Sequence, residues 1–299
     1  MNLLSKPDFS DLEKIYKLIN DVFRSEFSPT MQYEFSNLFS EYNLDNIFYS
    51  KENEIVVSHL AYFPADLHTE TGNYKLAFLG AVATHEDFRK MGLASQLLNK
   101  AEEKMKDEKT DFCIISGDLP LYIKNGYVKT GKTFSFKIKS LKNDIETIRY
   151  NDKYINDILN IYANEKIKFR RSKDFFLNSL GTLDILNLKG EKSLKISQIG
   201  LTFLDKNKSC YFVMRGNSKS VLEYAGERNL LLKSLECFCY ENNKEIILEI
   251  PESDDYFLTV MYNNRYKPEE VHSFPPFHTV KSFNGKILPK MPLPGLNFV

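Results

Sequence analysis

The sequence predicts an α/β chain with mixed sheets: two tandem domains, each a central mixed β-sheet flanked by helices. Three observations lead there. At 299 residues the chain is longer than one core of about 150 residues requires. Apolar runs of strand character alternate throughout with stretches whose apolar residues recur at helical spacing. The segment Leu121-Tyr122-Ile123-Lys124-Asn125-Gly126-Tyr127 returns, degenerate, as Val260-Met261-Tyr262-Asn263-Asn264-Arg265-Tyr266. Each copy follows an apolar strand and a short acidic loop. The domains are expected at 1–140 and 141–299.

The elements follow in order. Leu3 and Leu4 form a short strand, and a helix starts after Pro7 with Asp8 or Ser10 as its cap. Its apolar face is Leu12, Ile15, Tyr16, Ile19, Val22 and Phe23. Residues 27–33 read as a loop and 33–39 as a short helix. Strands at 46–50, 55–68 and 74–83 are separated by polar turns containing Asn53 and Gly72, which gives an antiparallel meander. A helix from about 90 to 106 and a strand at 111–116 complete a βαβ unit, whose crossover is normally right-handed. A short helix at 119–124 follows, and strands at 127–130 and 133–138 close the sheet. The second half reads as strands at 145–150, 183–188, 195–204, 211–215, 221–224, 245–250 and 279–283. Its helices are expected at 155–163, 174–180, 229–240 and 257–262.

The stretch from Val82 to Ser95 organises the first half. An apolar strand, 76–83, ends in Val82-Ala83-Thr84, and a helix opens near Leu93 with Leu97, Leu98, Ala101 and Met105 on its apolar face. The first amides of a helix have no partner within it, and the helix dipole adds partial positive charge there. Such an end binds phosphate. Gly92 spares the ligand a Cβ, Ala94 lets the helix sit close to what lies beneath, and Arg89 can add a charge-assisted bond.

Arg89-Lys90-Met91-Gly92-Leu93-Ala94, set between a strand and an amphipathic helix, resembles the acetyl-CoA pyrophosphate loop of the GNAT N-acetyltransferases. The segment 118–127 resembles that family's Tyr-x-x-x-Gly-Phe/Tyr motif. The resemblance covers 1–140. It implies that Val82, Ala83, Thr84, Arg89, Lys90, Met91, Gly92, Leu93, Ala94 and Ser95 bind acetyl-CoA, with the pantetheine arm in a gap between two splayed strands. It implies that Tyr122 donates a proton to the departing thiolate, and that Phe23, Phe27 and Tyr33 lie beside the acceptor pocket. Many relatives carry a glutamate on the strand before the loop; here that strand, 76–81, has no carboxylate. Candidates for the base are His59, Asp66, His68, Asp118, a water chain or the terminal carboxylate of Val299 at the end of a proline-stiffened tail.

The corresponding junction of the second half, Glu223 to Arg228, has no Arg-x-x-Gly-x-Ala, and Glu223 and Glu227 would repel a pyrophosphate. That half is expected not to bind the cofactor and to shape the acceptor site or an interface. The expected activity is transfer of an acetyl group from acetyl-CoA to a primary amine, by direct attack in a ternary complex. A non-catalytic acyl-CoA sensor or scaffold is the alternative.

Composition narrows the classes. Lys and Arg number 40 and so do Asp and Glu, so nothing calls for nucleic acid or an anionic membrane. The acceptor partner is a small-molecule or peptide amine, and the oligomeric state is not readable. No leader or bilayer-spanning run is seen, and Cys113, Cys210, Cys237 and Cys239 read as reduced thiols, which suits the cytoplasm. His85, His272 and His278 lack metal-ligand spacing, so no metal is expected.

Overall fold

A computed structural model describes residues 2–24, 30–188, 201–216, 219–274 and 278–298. The first half opens with β1 (Asn2–Ser5) and α1 (Phe9–Phe23). Asp8 caps this helix, its carboxylate accepting from the Asp11 amide at 2.8 Å. Ile15, Leu18 and Ile19 recur at helical spacing and bury against the sheet. After α2 (Met31–Glu34) and a 3₁₀ turn come β2 (Ile47–Glu52), β3 (Ile55–Thr69) and β4 (Gly72–Thr84), an antiparallel meander. Helix α3 (Leu93–Asp107) crosses to β5 (Phe112–Ser116), which pairs parallel with β4. Leu97, Leu98, Ala101 and Met105 are completely or almost completely buried beneath the sheet. The short α4 (Pro120–Lys124) and β6 (Thr130–Lys137) follow.

The second half runs β7 (Thr147–Arg149), α5 (Ile155–Ala163), β8 (Lys168–Phe169), α6 (Lys173–Leu188), β9 (Thr202–Asp205), β10 (Cys210–Met214), β11 (Val221–Gly226), α7 (Arg228–Asn242), β12 (Ile247–Pro251), α8 (Asp255–Asn263), β13 (Glu270–Phe274) and β14 (His278–Ser282). The expected strand at 183–188 is the end of α6. Its short apolar run fits either period, and the helix already under way from Lys173 carries through it. Residues 195–200 of another expected strand lie outside the described residues.

The strands do not sort by halves. The first sheet has the order β1-β2-β3-β4-β5-β14, with β8 pairing β3. A second is β11-β10-β9-β7, and a third is β12-β6-β13. β6 therefore does not close the first sheet as its sequence position suggests: it lies between strands of the second half, Phe136 opposite Leu248. β14 takes the reciprocal place beside β5, Thr279 opposite Ile115. Each half lends the other a strand. The exchange is favoured because each lent strand buries apolar residues in its host: Phe136 and Ile138 in the second core, Val280 beneath the first sheet.

Candidate active site

The chain leaves β4 at Thr84, makes a 3₁₀ turn over Glu86–Phe88, and enters α3 at Leu93 rather than near Lys90. Two left-handed residues delay the entry, Lys90 at φ +65° and Gly92 at φ +79°. Gly92 is the N-cap and offers no side chain to the helix; its carbonyl accepts from the Gln96 amide at 3.0 Å. The amides of Leu93, Ala94 and Ser95 consequently leave the helix end without an intrahelical acceptor. Arg89, Lys90, Met91 and Gly92 are exposed, Leu93 is buried, and Ala94 and Ser95 are half-buried. The Arg89 Nε donates to the Thr84 carbonyl at 3.2 Å, which draws the guanidinium over the strand end. A Cβ at Gly92 would find only Gln96 Nε2, at 3.8 Å. The backbone angle, not crowding within the chain, is what asks for glycine here.

Beside this loop the sheet opens. β4 and β5 pair only from Leu76–Phe112 to Leu79–Ile115 and then part. At the parting point β4 bulges against β3, with the register slipping between His59 and Ala61 and Ala81 at φ +51°. The bulge is pinned by His59, whose Nδ1 lies 2.8 Å from the Ala81 carbonyl. Full burial pushes the His59 pKa down to about 4, so the ring is neutral and donates from Nδ1. Beyond the bulge the His85 amide donates to Val57 of β3. By strand alternation Ala83 also faces β3, while Val82 and Thr84 turn their backbone groups toward the gap that β5 has left.

The gap leads to a cavity of about 530 Å³. The first half contributes Gly80, Ala81, Val82, Ser116 and Tyr122; the second contributes Arg215, Leu222 and Glu249, and residues 293–295 close one side. Tyr122 is 3% exposed, its ring set edge-on to Tyr127 at 6.2 Å. Burial pushes its pKa up to about 12, with Cys113 adding to the shift, so the phenol keeps its proton. Phe23 also lines the cavity, while Tyr33 does not and Phe27 lies outside the described residues. None of the described sequence candidates for a base is in the wall. His59 is spent on the bulge, His68 Nδ1 sits 2.9 Å from Asn73 Oδ1, Asp118 pairs with Lys129 at 2.7 Å, and Asp66 lies opposite Lys75 away from the cavity. Val299 is outside the described residues.

Residues 5–129 match the family model of the acetyltransferase (GNAT) domain. Residues 5–129 are a GNAT domain. No curated protein matches the chain. Among solved structures, a probable N-acyltransferase from Enterococcus faecalis superposes with TM-score 0.66 at 14% identity, covering 94% of this chain and 72% of that one. A GCN5-related N-acetyltransferase from Kribbella flavida gives 0.64 at 10% identity, over 95% and 71%. Saccharomyces cerevisiae N-myristoyltransferase with bound myristoyl-CoA gives 0.59 at 11% identity, over 96% and 83%. At these identities the likeness is one of fold, and it runs through both halves.

The second half repeats one turn of the GNAT domain bond for bond. The Tyr127 amide donates to Tyr122 O at 3.1 Å, and the Tyr266 amide to Met261 O at 3.0 Å. Asn125 Nδ2 reaches Leu121 O at 2.7 Å, and Asn264 Nδ2 reaches Val260 O at 2.9 Å. Methionine stands where the GNAT domain has the phenol. The helix end that would correspond to Gly92 is closed by its own side chain: the Glu227 carboxylate accepts from the amides of Asn229 at 3.0 Å and Leu230 at 2.6 Å. Beside it Arg228 is locked between Glu165 and Asp254, both at 2.9 Å, at the edge of a larger cavity of about 830 Å³. That cavity has its helix donors already engaged, so the smaller one beside the GNAT loop is the better candidate site. Glu223, expected near the loop, instead points inward to Arg171 at 2.8 Å. The same Arg171 holds the tail through Asn297 Oδ1, and residues 293–295 thereby reach the cavity.

Sequence reasoning missed Arg215 and Glu249. The signal was present in Glu249, a carboxylate inside the apolar run 246–250. All four cysteines are buried and free, and among the described residues no group of His, Cys, Asp or Glu is placed to hold a metal. No helix among them is long and apolar enough to cross a membrane.

Proposed function

We propose that the chain is an N-acyltransferase that moves an acetyl group from acetyl-CoA to a primary amine by direct attack in a ternary complex. One observation carries this reading: a helix end at Gly92 with no side-chain cap follows the strand β4, which parts from β5 at a cavity lined by Val82 and a protonated phenol. The CoA thioester would supply the activated acyl carbon and the leaving sulfur. The amides of Gly92, Leu93, Ala94 and Ser95, with the exposed backbone of Lys90 and Met91, would hold its diphosphate, aided by Arg89. Val82 and Thr84 would offer backbone bonds to the pantetheine arm, and Ala83 would keep β4 against β3. Tyr122 would protonate the departing sulfur.

The second half reads as a degenerate copy that has given up cofactor binding and walls the acceptor pocket. Met261 in place of Tyr122 and the Glu227 cap support this. The repeat units are 1–140 and 141–299 by sequence, with β6 and β14 exchanged between them.

Calorimetric titration of Gly92→Asp with CoA tests the reading. A left-handed Asp strains the turn, and its carboxylate competes for the helix amides, so affinity should fall at least about tenfold, which is 1.4 kcal/mol. Undiminished heat would overturn the assignment.

A further inference from the structure

An alkyl amine reaches an enzyme at neutral pH as an ammonium, and transfer requires that its proton go somewhere. Among the described residues that line the cavity, those of the GNAT domain include no carboxylate, but the other half supplies one. Along β12, Leu248 and Ile250 are fully buried in the second core, so strand alternation turns Glu249 to the opposite face and onto the cavity. Among the described residues that line it, Glu249 is the single carboxylate. Its Oε2 is sealed from solvent and accepts no hydrogen bond. Idle buried acceptors cost about 1–3 kcal/mol, and a native structure that keeps one calls for a reason. A turn of the carboxylate about its last torsion would bring this oxygen into the cavity, where an incoming N–H donor would supply that reason.

We propose that Glu249 binds the acceptor as an alkylammonium and takes its proton, so that the base of the reaction comes from the second half. This rests on the acyl-transfer reading above. Glu249 accepts one proton from R–NH3⁺. The freed nitrogen lone pair then forms the C–N bond, and the C–S bond breaks with its electrons passing to sulfur. Tyr122 gives sulfur a proton and regains one from the attacking nitrogen. The proton left on Glu249 returns to solvent, so that ammonium and thioester become amide, thiol and one proton. The groups facing Glu249 agree with this role. Burial raises its pKa above the ordinary carboxylate value, and Glu270 adds to the rise. The Ser135 hydroxyl across the β6 pairing, His272 and Arg215 oppose it. The preferred acceptor class is therefore a basic alkyl amine rather than a weakly basic aryl amine.

The full-length chain is assayed for thiol release from acetyl-CoA with putrescine, benzylamine, lysine amide and aniline. Glu249→Gln should lower kcat/KM for the alkyl amines by about 10²-fold or more while calorimetric CoA affinity stays within about twofold. The wild-type rate should fall as pH drops through the raised Glu249 pKa, and the variant should lose that limb, which a purely structural role would leave in place. Glu249→Asp should recover part of the rate. A Glu249→Gln chain within threefold of wild type, or with its acidic limb intact, overturns the proposal. So does a wild type that binds CoA but acetylates none of the alkyl amines. A wild type that gives no heat with CoA would sink the acyl-transfer reading along with it.

Discussion

His59 Nδ1 lies 2.8 Å from the carbonyl oxygen of Ala81, the left-handed residue at which β4 bulges and leaves β5. Burial keeps this imidazole neutral, lowering the His59 pKa from 6.5 to about 4 although the bond to Ala81 pulls the other way. The sign follows directly. In that window the unfolded chain takes up a proton that the folded chain refuses, so the stability present above pH 6.5 drains away as pH falls toward 4. Between pH 7 and 5 the loss attributable to this residue is on the order of 2 kcal/mol. His59→Asn keeps a donor near the Ala81 carbonyl and does not titrate. Urea unfolding should show the variant gaining about that much on the wild type over the same interval.

Tyr122→Phe removes a hydroxyl and little else. The ring keeps its edge-on contact with Tyr127, so the fold and CoA affinity should persist while kcat falls about 10²-fold. Steady-state rates set beside calorimetry check this; an unchanged kcat would take the phenol out of the chemistry.

Arg171 and Glu223 form an ion pair at 2.8 Å with side chains 1% and 6% exposed. Tyr162 and Phe175 lie within 4.9 and 5.0 Å of the guanidinium, and the Tyr211 hydroxyl donates to Glu223 at 2.9 Å. Arg171→Met strands the carboxylate in that interior and should cost about 3–5 kcal/mol by denaturant unfolding. The double variant Arg171→Met with Glu223→Leu should cost less than the single one, because no charge is left uncompensated.

Gly295 stands at φ +51°, and a Cβ there would come 2.3 Å from Glu223 Oε2. That carboxylate is held by Arg171 and by the Leu296 amide at 3.0 Å, so it has nowhere to retreat. Gly295→Ala should push the tail off its seat, lowering stability by about 2 kcal/mol and raising KM for the amine while leaving CoA affinity alone. Thermal unfolding and kinetics with two amines of different length measure the two effects.

Local structure was legible wherever local forces decide it. The Asp8 cap, the apolar stripe of α3 and the turn at Gly126 follow from neighbours in sequence, and the last was strong enough to reveal its degenerate partner at Arg265. The helix start at Gly92 was legible because a glycine there separates a strand end from an apolar stripe at helical spacing. Strand partners were not. The run 133–138 has the composition of a closing strand, and nothing in it says whose edge it closes; that depends on Leu248 and Ile250, more than a hundred residues on. Glu249 was overlooked for the same reason. An isolated carboxylate between apolar residues declares that it points away from a core but not what lies on the other side.

The reciprocal loan of β6 and β14 has a consequence for synthesis. Thr279 bonds to Gly117 across 162 positions, so the edge of β5 waits bare until that far segment has left the ribosome. At roughly 5–20 residues per second the wait is on the order of ten to thirty seconds. Throughout it a nascent chain would expose an unpaired strand edge next to apolar surface, and a holding chaperone that shields such edges would find its client there.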